Sequence, residues 1–329
     1  MPNNVTLFGI EMVVDPIAFK LPIGAEGWTV YWYGVIIALG FILALVYAWW
    51  RAPKMGIDVD RMMDVVIITT PCAILCARAY YVLFDPNGGI RSFKEFFLGR
   101  EGEGLAGLAI YGGVIGAVLV GALVSKIRKV KIFDLLDLGA VGFLIGQGVG
   151  RWGNFFNQEA FGGPTGSTWW GMTSENVVLD FAQKGLPTDA LAHPCFLYES
   201  IWCLTGAVIL FLFSRKRRFS GEIALMYCVW YGLGRAIIEP LRTDSLMIGN
   251  FKVSFLLSAL IVVGGIAGLV IGYLRLRSNR KDLAYETMFD TAAAEEAEEV
   301  FEEEAEELSA EETADETADE TDEEEKTEE

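Results

Sequence analysis

The chain has 329 residues, 53% of them hydrophobic, yet its formal net charge is -18. From Glu286 onward it collects 23 of the 44 acidic residues against a single basic residue, Lys326, so the 285 residues before it carry about +4. This excludes reading the acidity as a property of the body, which is apolar and slightly basic and carries an acidic appendix.

In chain order, the first 27 residues show no basic n-region followed by an apolar h-region and a small-residue cleavage site, so no cleavable signal peptide is expected. Seven apolar segments then approach the roughly 20 residues needed to cross a bilayer: 28–50, 62–84, 105–125, 132–150, 194–213, 222–240 and 253–275. The fourth is the weakest, being short, Gly-rich and interrupted by Asp134 and Asp137. Helices are the expected form, because backbone groups in lipid must be satisfied within the segment. The fold class expected is an all-α polytopic membrane protein of seven transmembrane helices.

Basic residues orient it. Arg51, Lys54 and Arg61 follow the first span, "SKIRKVK" the third, "SRKRRF" the fifth and "RLRSNRK" the seventh. With alternating spans these lie on one side, which becomes the cytoplasmic side by the positive-inside rule. The N-terminus is then outside and the C-terminus cytoplasmic. Residues 1–282 are expected to form the membrane domain, with an outer loop or head at about 151–193. Residues 283–329 form an acidic, low-complexity cytoplasmic tail that lacks the apolar content to bury a core.

On this topology the unusual polar residues gather at the outer face. Tyr33 comes from span one, Arg78 from span two, Tyr111 from span three and Arg151 with Asn154 from span four. His193, Tyr198 and Glu199 open span five, while Tyr231, Arg235, Glu239 and Arg242 close span six. Arginines near span ends often snorkel and tyrosines populate interfaces. That does not account for Glu199 and Glu239 at apolar depth, since a charge there normally faces a polar cavity.

Tyr231, Arg235 and Glu239 recur at i, i+4 and i+8, one helical face, and Glu239 is placed to hold both Arg235 and Arg242. Held guanidiniums suit bidentate recognition of phosphate. An anionic phospholipid headgroup is therefore the expected ligand of Arg151 and Arg235. His193 is the only histidine, and no two-His zinc motif, P-loop or G-x-S-x-G elbow is present, so neither metal nor cofactor is expected. In "HPCFLYE" it stands before a proline, where a structural cap and a base are both open readings. The five cysteines match neither a disulfide framework nor a zinc site.

"GRWGNFFNQEAFG" resembles the signature of bacterial prolipoprotein diacylglyceryl transferases, and "YWYGVIIALGF", "YGGVIG", "HPCFLYE" and "YGLGRAIIEPLRTDSL" follow the family's order. The resemblance covers nearly all of the body and leaves out the tail. It implies transfer of the diacylglyceryl group of phosphatidylglycerol to the lipobox cysteine thiol of preprolipoproteins. Glycerol phosphate leaves, at the outer face of the cytoplasmic membrane. It also implies phosphate-gripping roles for Arg151 and Arg235 and site positions for Asn154, Glu159, Tyr33, Tyr231 and Glu239, while Arg242 is expected in the substrate site from its spacing to Glu239. Asp137 matches a structural aspartate of the family. Many members carry a histidine where this chain has Tyr111, and a tyrosine with a pKa of about 10 is a poor base near neutrality. Tyr111 is expected at the site. The proton acceptor stays open among a perturbed Tyr111, Glu159 or another group, and water beside a thiol ionised by the arginines. A non-enzymatic anionic phospholipid transporter or binding protein is the alternative, although no internal repeat supports it.

Overall fold

The computed structural model describes residues 3–22, 28–84, 96, 109–243, 247–248 and 251–278. The acidic tail lies outside the described residues, as does the first part of the expected third span. Long helices are α1 (Trp32–Arg51), α2 (Val59–Leu83), α3 (Ile110–Ile127), α4 (Ile132–Asn157), α6 (Cys195–Ser214), α7 (Glu222–Ile238) and α8 (Val253–Ser278), with a short α5 at Glu175–Lys184. Five of them, Trp32–Arg51, Val59–Leu83, Ile132–Asn157, Cys195–Ser214 and Ser254–Arg277, are long and apolar enough to cross a membrane. α3 is a shorter apolar helix at one of the other two expected positions, and the 17-residue α7 stands at the last. The chain is thus a mostly helical, multi-pass membrane protein.

Helices dominate as expected, but the all-α expectation is corrected by seven short strands among the described residues. β1 (Asn3–Leu7) and β2 (Ile10–Val14) form a hairpin, and β5 (Met172–Ser174) pairs antiparallel with β1. The hairpin turns on Phe8 and Gly9, both at positive φ (53° and 80°), as a two-residue hairpin turn demands. β3 (Ile17–Leu21) pairs with β4 (Trp28–Tyr31), which runs directly into α1. β6 (Met247–Ile248) and β7 (Phe251–Lys252) form the last pair. These segments are too short and too irregular in pattern to stand out from a loop in sequence.

The weakest expected span is one of the longest helices. α4 runs through Arg151 and Asn154 to Asn157 and ends at Gln158 in the left-handed conformation. The signature residues therefore stand on the last turns of a helix, and not on a loop after it. Glycine makes this possible by allowing neighbours to close in. A Cβ on Gly40 of α1 would meet the Gly146 carbonyl at 3.0 Å, and one on Gly148 would meet Leu204 of α6 at 2.7 Å.

Three packed clusters hold the body. At one end a head formed by Val5, Val14, Met172, Val177 and Phe181 sits on Phe155 of α4 and Phe196 of α6. Ala140, Val141 and Leu144 pack against Cys203, Ala207 and Leu210 in the middle. At the opposite end Ala52, Met55, Ile57 and Met62 close over Leu138. That end also carries a buried ion-pair system: Arg217 bridges Asp134 and Asp137, each at 2.9 Å, and Asp137 accepts from the Gly221 and Ala224 N–H groups at the start of α7. Asp137 is a structural group here, as the resemblance implied. Arg78 of α2 bonds to the Phe96 carbonyl at 3.0 Å.

Candidate active site: a carboxylate under three arginines and a groove beside it

α6 and α7 are locked by reciprocal tryptophans. Trp202 Nε1–H donates to the Trp230 carbonyl and Trp230 Nε1–H to the Trp202 carbonyl, both at 3.0 Å, with the rings stacked at 4.6 Å. Each indole lies over a glycine of the other helix: a Cβ on Gly234 would stand 2.3 Å from Trp202 Nε1, and one on Gly206 would stand 2.2 Å from Trp230 Nε1. This fixes the register that carries Glu199 and Arg235 to one level.

Glu199 is the hub. Its Oε2 forms an ion pair with Arg151 Nε of α4 at 2.6 Å, and its Oε1 accepts from Arg235 Nη1 at 3.1 Å and from Arg242 Nη1 at 2.9 Å. Glu239, which opens the 3-10 turn Glu239–Leu241 after α7, takes Arg235 Nη2 at 2.5 Å. Glu239 holds Arg235 as the spacing predicts, and Arg242 reaches the carboxylate of another helix. The Glu199 and Glu239 side chains are 4% and 1% exposed, against 22%, 18% and 11% for the three arginines. The carboxylates thus form a floor and the guanidiniums a lip facing outward. Three cations over two anions leave one net positive charge, the complement of a single phosphodiester. Buried pairs of this kind contribute little net stability but hold fixed geometry. Here that geometry presents donors for an anion.

Beside this lip runs a groove of about 490 Å³ between α1 and α4. α4 lines it with one face, Leu138, Gly142, Gly146, Gly150 and Asn154 among others, where glycines leave the space. α1 contributes a stripe from Tyr33 to Ala48, 15 residue steps and so about 22 Å at 1.5 Å per step. The walls are apolar except at the end bearing Tyr33, Arg151 and Asn154, with Gln147 one turn farther in. Gln147 Nε2–H donates to the Tyr227 hydroxyl at 3.0 Å. Tyr33 packs against Gly153, where a Cβ would be 2.8 Å from its ring, and its hydroxyl is within electrostatic reach of Arg151 and Glu159. A long apolar slot ending in a cationic lip fits an amphiphile with an anionic headgroup.

The other expected residues divide. Tyr231 stacks on Tyr227 (5.7 Å) one turn from Arg235. Glu159 is exposed, bonded by Asn157 at 3.3 Å, just past the end of α4. Tyr111 lies on a different helix. It opens α3, half exposed, and α3 packs on α2, with no hydrogen bond or ion pair among the described residues linking Tyr111 to the arginine cluster. Sequence reasoning noted Glu199 as misplaced in an apolar run but gave it no role. Its signal was its depth. Among the described residues no group of three or more His, Cys, Asp or Glu comes together as a metal site.

The sequence profile of the family described as "Prolipoprotein diacylglyceryl transferase" matches residues 16–271. Among curated proteins, the chain is 39% identical over 272 residues to a phosphatidylglycerol–prolipoprotein diacylglyceryl transferase of Clostridium novyi, covering 82% of this chain and 100% of that one. It is 38% identical over 281 residues to the protein of that name from Bacillus cytotoxicus, covering 85% and 98%. It is 40% identical over 275 residues to the protein with that name, numbered 1, from Clostridium perfringens, covering 82% and 99%.

Proposed function

The chain belongs to the prolipoprotein diacylglyceryl transferase family, and from that premise we propose how its geometry performs the transfer. The substrate is phosphatidylglycerol, and the acceptor is the lipobox cysteine thiol of a preprolipoprotein. All seven apolar helices cross the bacterial cytoplasmic membrane, and the basic loops around Arg51, Arg128 and Arg217 face the cytoplasm. The arginine lip then opens at the outer face. α4 supports this polarity: the Asp137–Arg217 end and the Arg151 end are 14 residues, about 21 Å, apart along one helix.

The observation that carries the proposal is Arg151, which lines the polar end of the groove and is also paired to the Glu199 hub. A lipid with its acyl chains in the groove sets its phosphate at that lip, with Asn154 and Tyr33 beside the headgroup. Glu199 and Glu239 orient Arg235, and Arg242 completes the positive lip. As the thiolate attacks the glyceryl carbon, the C–O bond to phosphate breaks and a second negative charge develops on the departing glycerol phosphate. Arg151 and Arg235 are already aimed at that charge, the condition under which donors in a water-poor site stabilise a transition state strongly. Tyr231 and Glu159 flank the lip, and Tyr111 is assigned to the approach of the acceptor peptide.

The test mixes purified protein, labelled phosphatidylglycerol and a lipobox peptide. A mass gain of one diacylglyceryl group on the cysteine, with glycerol phosphate released, is expected. Lipid binding or movement without an adduct would favour the transporter reading. Arg235→Lys is expected to lower transfer by about 10²-fold or more, since lysine lacks the bidentate fork.

A further inference from the structure

The lip supplies grip and positive charge but no base, because guanidiniums stay protonated. His193, the only histidine of the chain, stands at its rim. The segment carrying it is pinned: the His193 N–H donates to the Gly163 carbonyl at 3.0 Å, the His193 carbonyl accepts from Gly162 at 2.9 Å, and Gly163 N–H donates to the Leu241 carbonyl at 2.8 Å, one residue before Arg242. A Cβ on Gly162 would touch Leu241, His193 and Cys195 at once, at 2.6–2.9 Å. The half-buried imidazole is therefore wedged between α6, the loop after α4 and the turn that delivers Arg242.

Its Nδ1 lies 3.2 Å from the hydroxyl of Tyr198, the neighbour of Glu199 in the first turn of α6. Trp170 Nε1–H donates to the same hydroxyl at 2.7 Å, and the two rings are within 7° of parallel. Phe8, at the tip of the β1–β2 hairpin, packs on Trp170 at 4.4 Å and donates its N–H to the Gly171 carbonyl at 2.9 Å. Because the Tyr198 oxygen already accepts from Trp170, its own proton is free to point at Nδ1. The head thus holds a two-member proton path beside the lip, on the α6 side, while the lipid groove lies between α1 and α4.

We propose that Tyr198 and His193 form the relay that ionises the acceptor thiol. This rests on the transferase reading. The thiol proton passes to the Tyr198 oxygen as the tyrosine proton passes to His193 Nδ1, leaving an imidazolium. The thiolate forms the S–C bond as the C–O bond to phosphate breaks, and the electron pair stays on the phosphate oxygen at Arg151 and Arg235. The imidazolium then returns its proton to the glycerol phosphate or to water. Burial pushes the His193 pKa below the usual histidine value, so the ring is neutral at pH 7. The titratable and charged groups around it are Tyr198 and Cys195 of α6, with Glu239 and Arg242 flanking Leu241.

The experiment uses the full chain in phosphatidylglycerol vesicles with two lipobox peptides, one ending its motif in cysteine and one in selenocysteine, whose selenol is already ionised at neutral pH. His193→Gln and Tyr198→Phe are each expected to slow the cysteine peptide by about 10²-fold or more, the usual worth of a general base. Both should transfer to the selenocysteine peptide within a few-fold of wild type. The wild type should lose activity on the cysteine peptide as pH falls through a midpoint below the ordinary histidine value, and His193→Gln should lack that limb. Equal losses on both peptides would make the pair structural and overturn the relay, as would an unchanged rate on cysteine. Absence of any adduct with wild type would instead overturn the transferase reading.

Discussion

Arg151 of α4 and Arg235 of α7 share one carboxylate: Glu199 pairs with the first at 2.6 Å and with the second at 3.1 Å. Two helices far apart in sequence are thereby set at a fixed distance by a residue of a third. Glu199→Gln keeps the shape and loses the charge. It is expected to lower kcat by about 10²-fold while the protein still inserts and binds lipid, because misaligned donors lose transition-state stabilisation first. Glu199→Ala removes the partner of three guanidiniums and should cost about 3–5 kcal/mol of stability. Steady-state kinetics with labelled phosphatidylglycerol and thermal unfolding in detergent separate the two. Wild-type kcat in Glu199→Gln would show that the arginines hold their positions without the charge.

The tryptophan exchange makes a different prediction, about register. Gly234 precedes Arg235, and its missing Cβ is the space occupied by Trp202. Gly234→Ala is expected to cost about 1–3 kcal/mol through overpacking and to lower transfer as well, since Arg235 shifts with the helix. Trp202→Phe keeps a ring and loses one hydrogen bond, worth about 1 kcal/mol, and should leave turnover nearly intact. Unfolding temperatures measured beside rates check this, and a Gly234→Ala protein of normal stability would contradict the packing.

The sequence displayed the apolar segments well because periodicity and length are local properties. It displayed the arginines because a charge at apolar depth is conspicuous. Partner choice was not local. Nothing in "HPCFLYE" says that Glu199 binds Arg151 and Arg242, since the pairs close only when α4, α6 and α7 pack. Asp134 and Asp137 made the fourth segment look weak, yet Arg217 and the N-terminus of α7 satisfy them. The hairpin at Phe8 escaped notice because its turn places a bulky residue at positive φ, against the usual preference for Gly or Asn. Tyr111 was expected at the site from its place in a motif; it opens α3, which packs on α2, and no hydrogen bond or ion pair among the described residues ties it to the arginines.

Asp137 provides a control far from the chemistry. It is 1% exposed, accepts two N–H groups at the start of α7 and pairs with Arg217. Asp137→Ala is expected to destabilise by about 3–5 kcal/mol, leaving a buried guanidinium short of a partner. The KM for phosphatidylglycerol should be unchanged in the fraction that folds. A lowered unfolding temperature with normal KM fits a structural clamp, whereas a raised KM with normal stability would move Asp137 into the site.

The groove offers a graded test of where the acyl chains lie. A Cβ on Gly146 would meet the Gly40 carbonyl at 3.6 Å, ordinary contact, so Gly146→Ala should be tolerated. Gly146→Leu extends three more heavy atoms from a lining position and is expected to fill the slot one turn below Arg151. If the chains occupy that slot, Gly146→Leu raises KM for long-chain phosphatidylglycerol by about 10-fold or more, and a short-chain lipid suffers less. Gly40→Ala acts differently: its Cβ would press on the Gly146 carbonyl at 3.0 Å, forcing α1 and α4 apart and lowering stability as well as transfer. Rates measured against acyl-chain length for the three variants distinguish occupation of the groove from general loosening, and a chain-length-independent loss in Gly146→Leu would remove the groove as the lipid's seat.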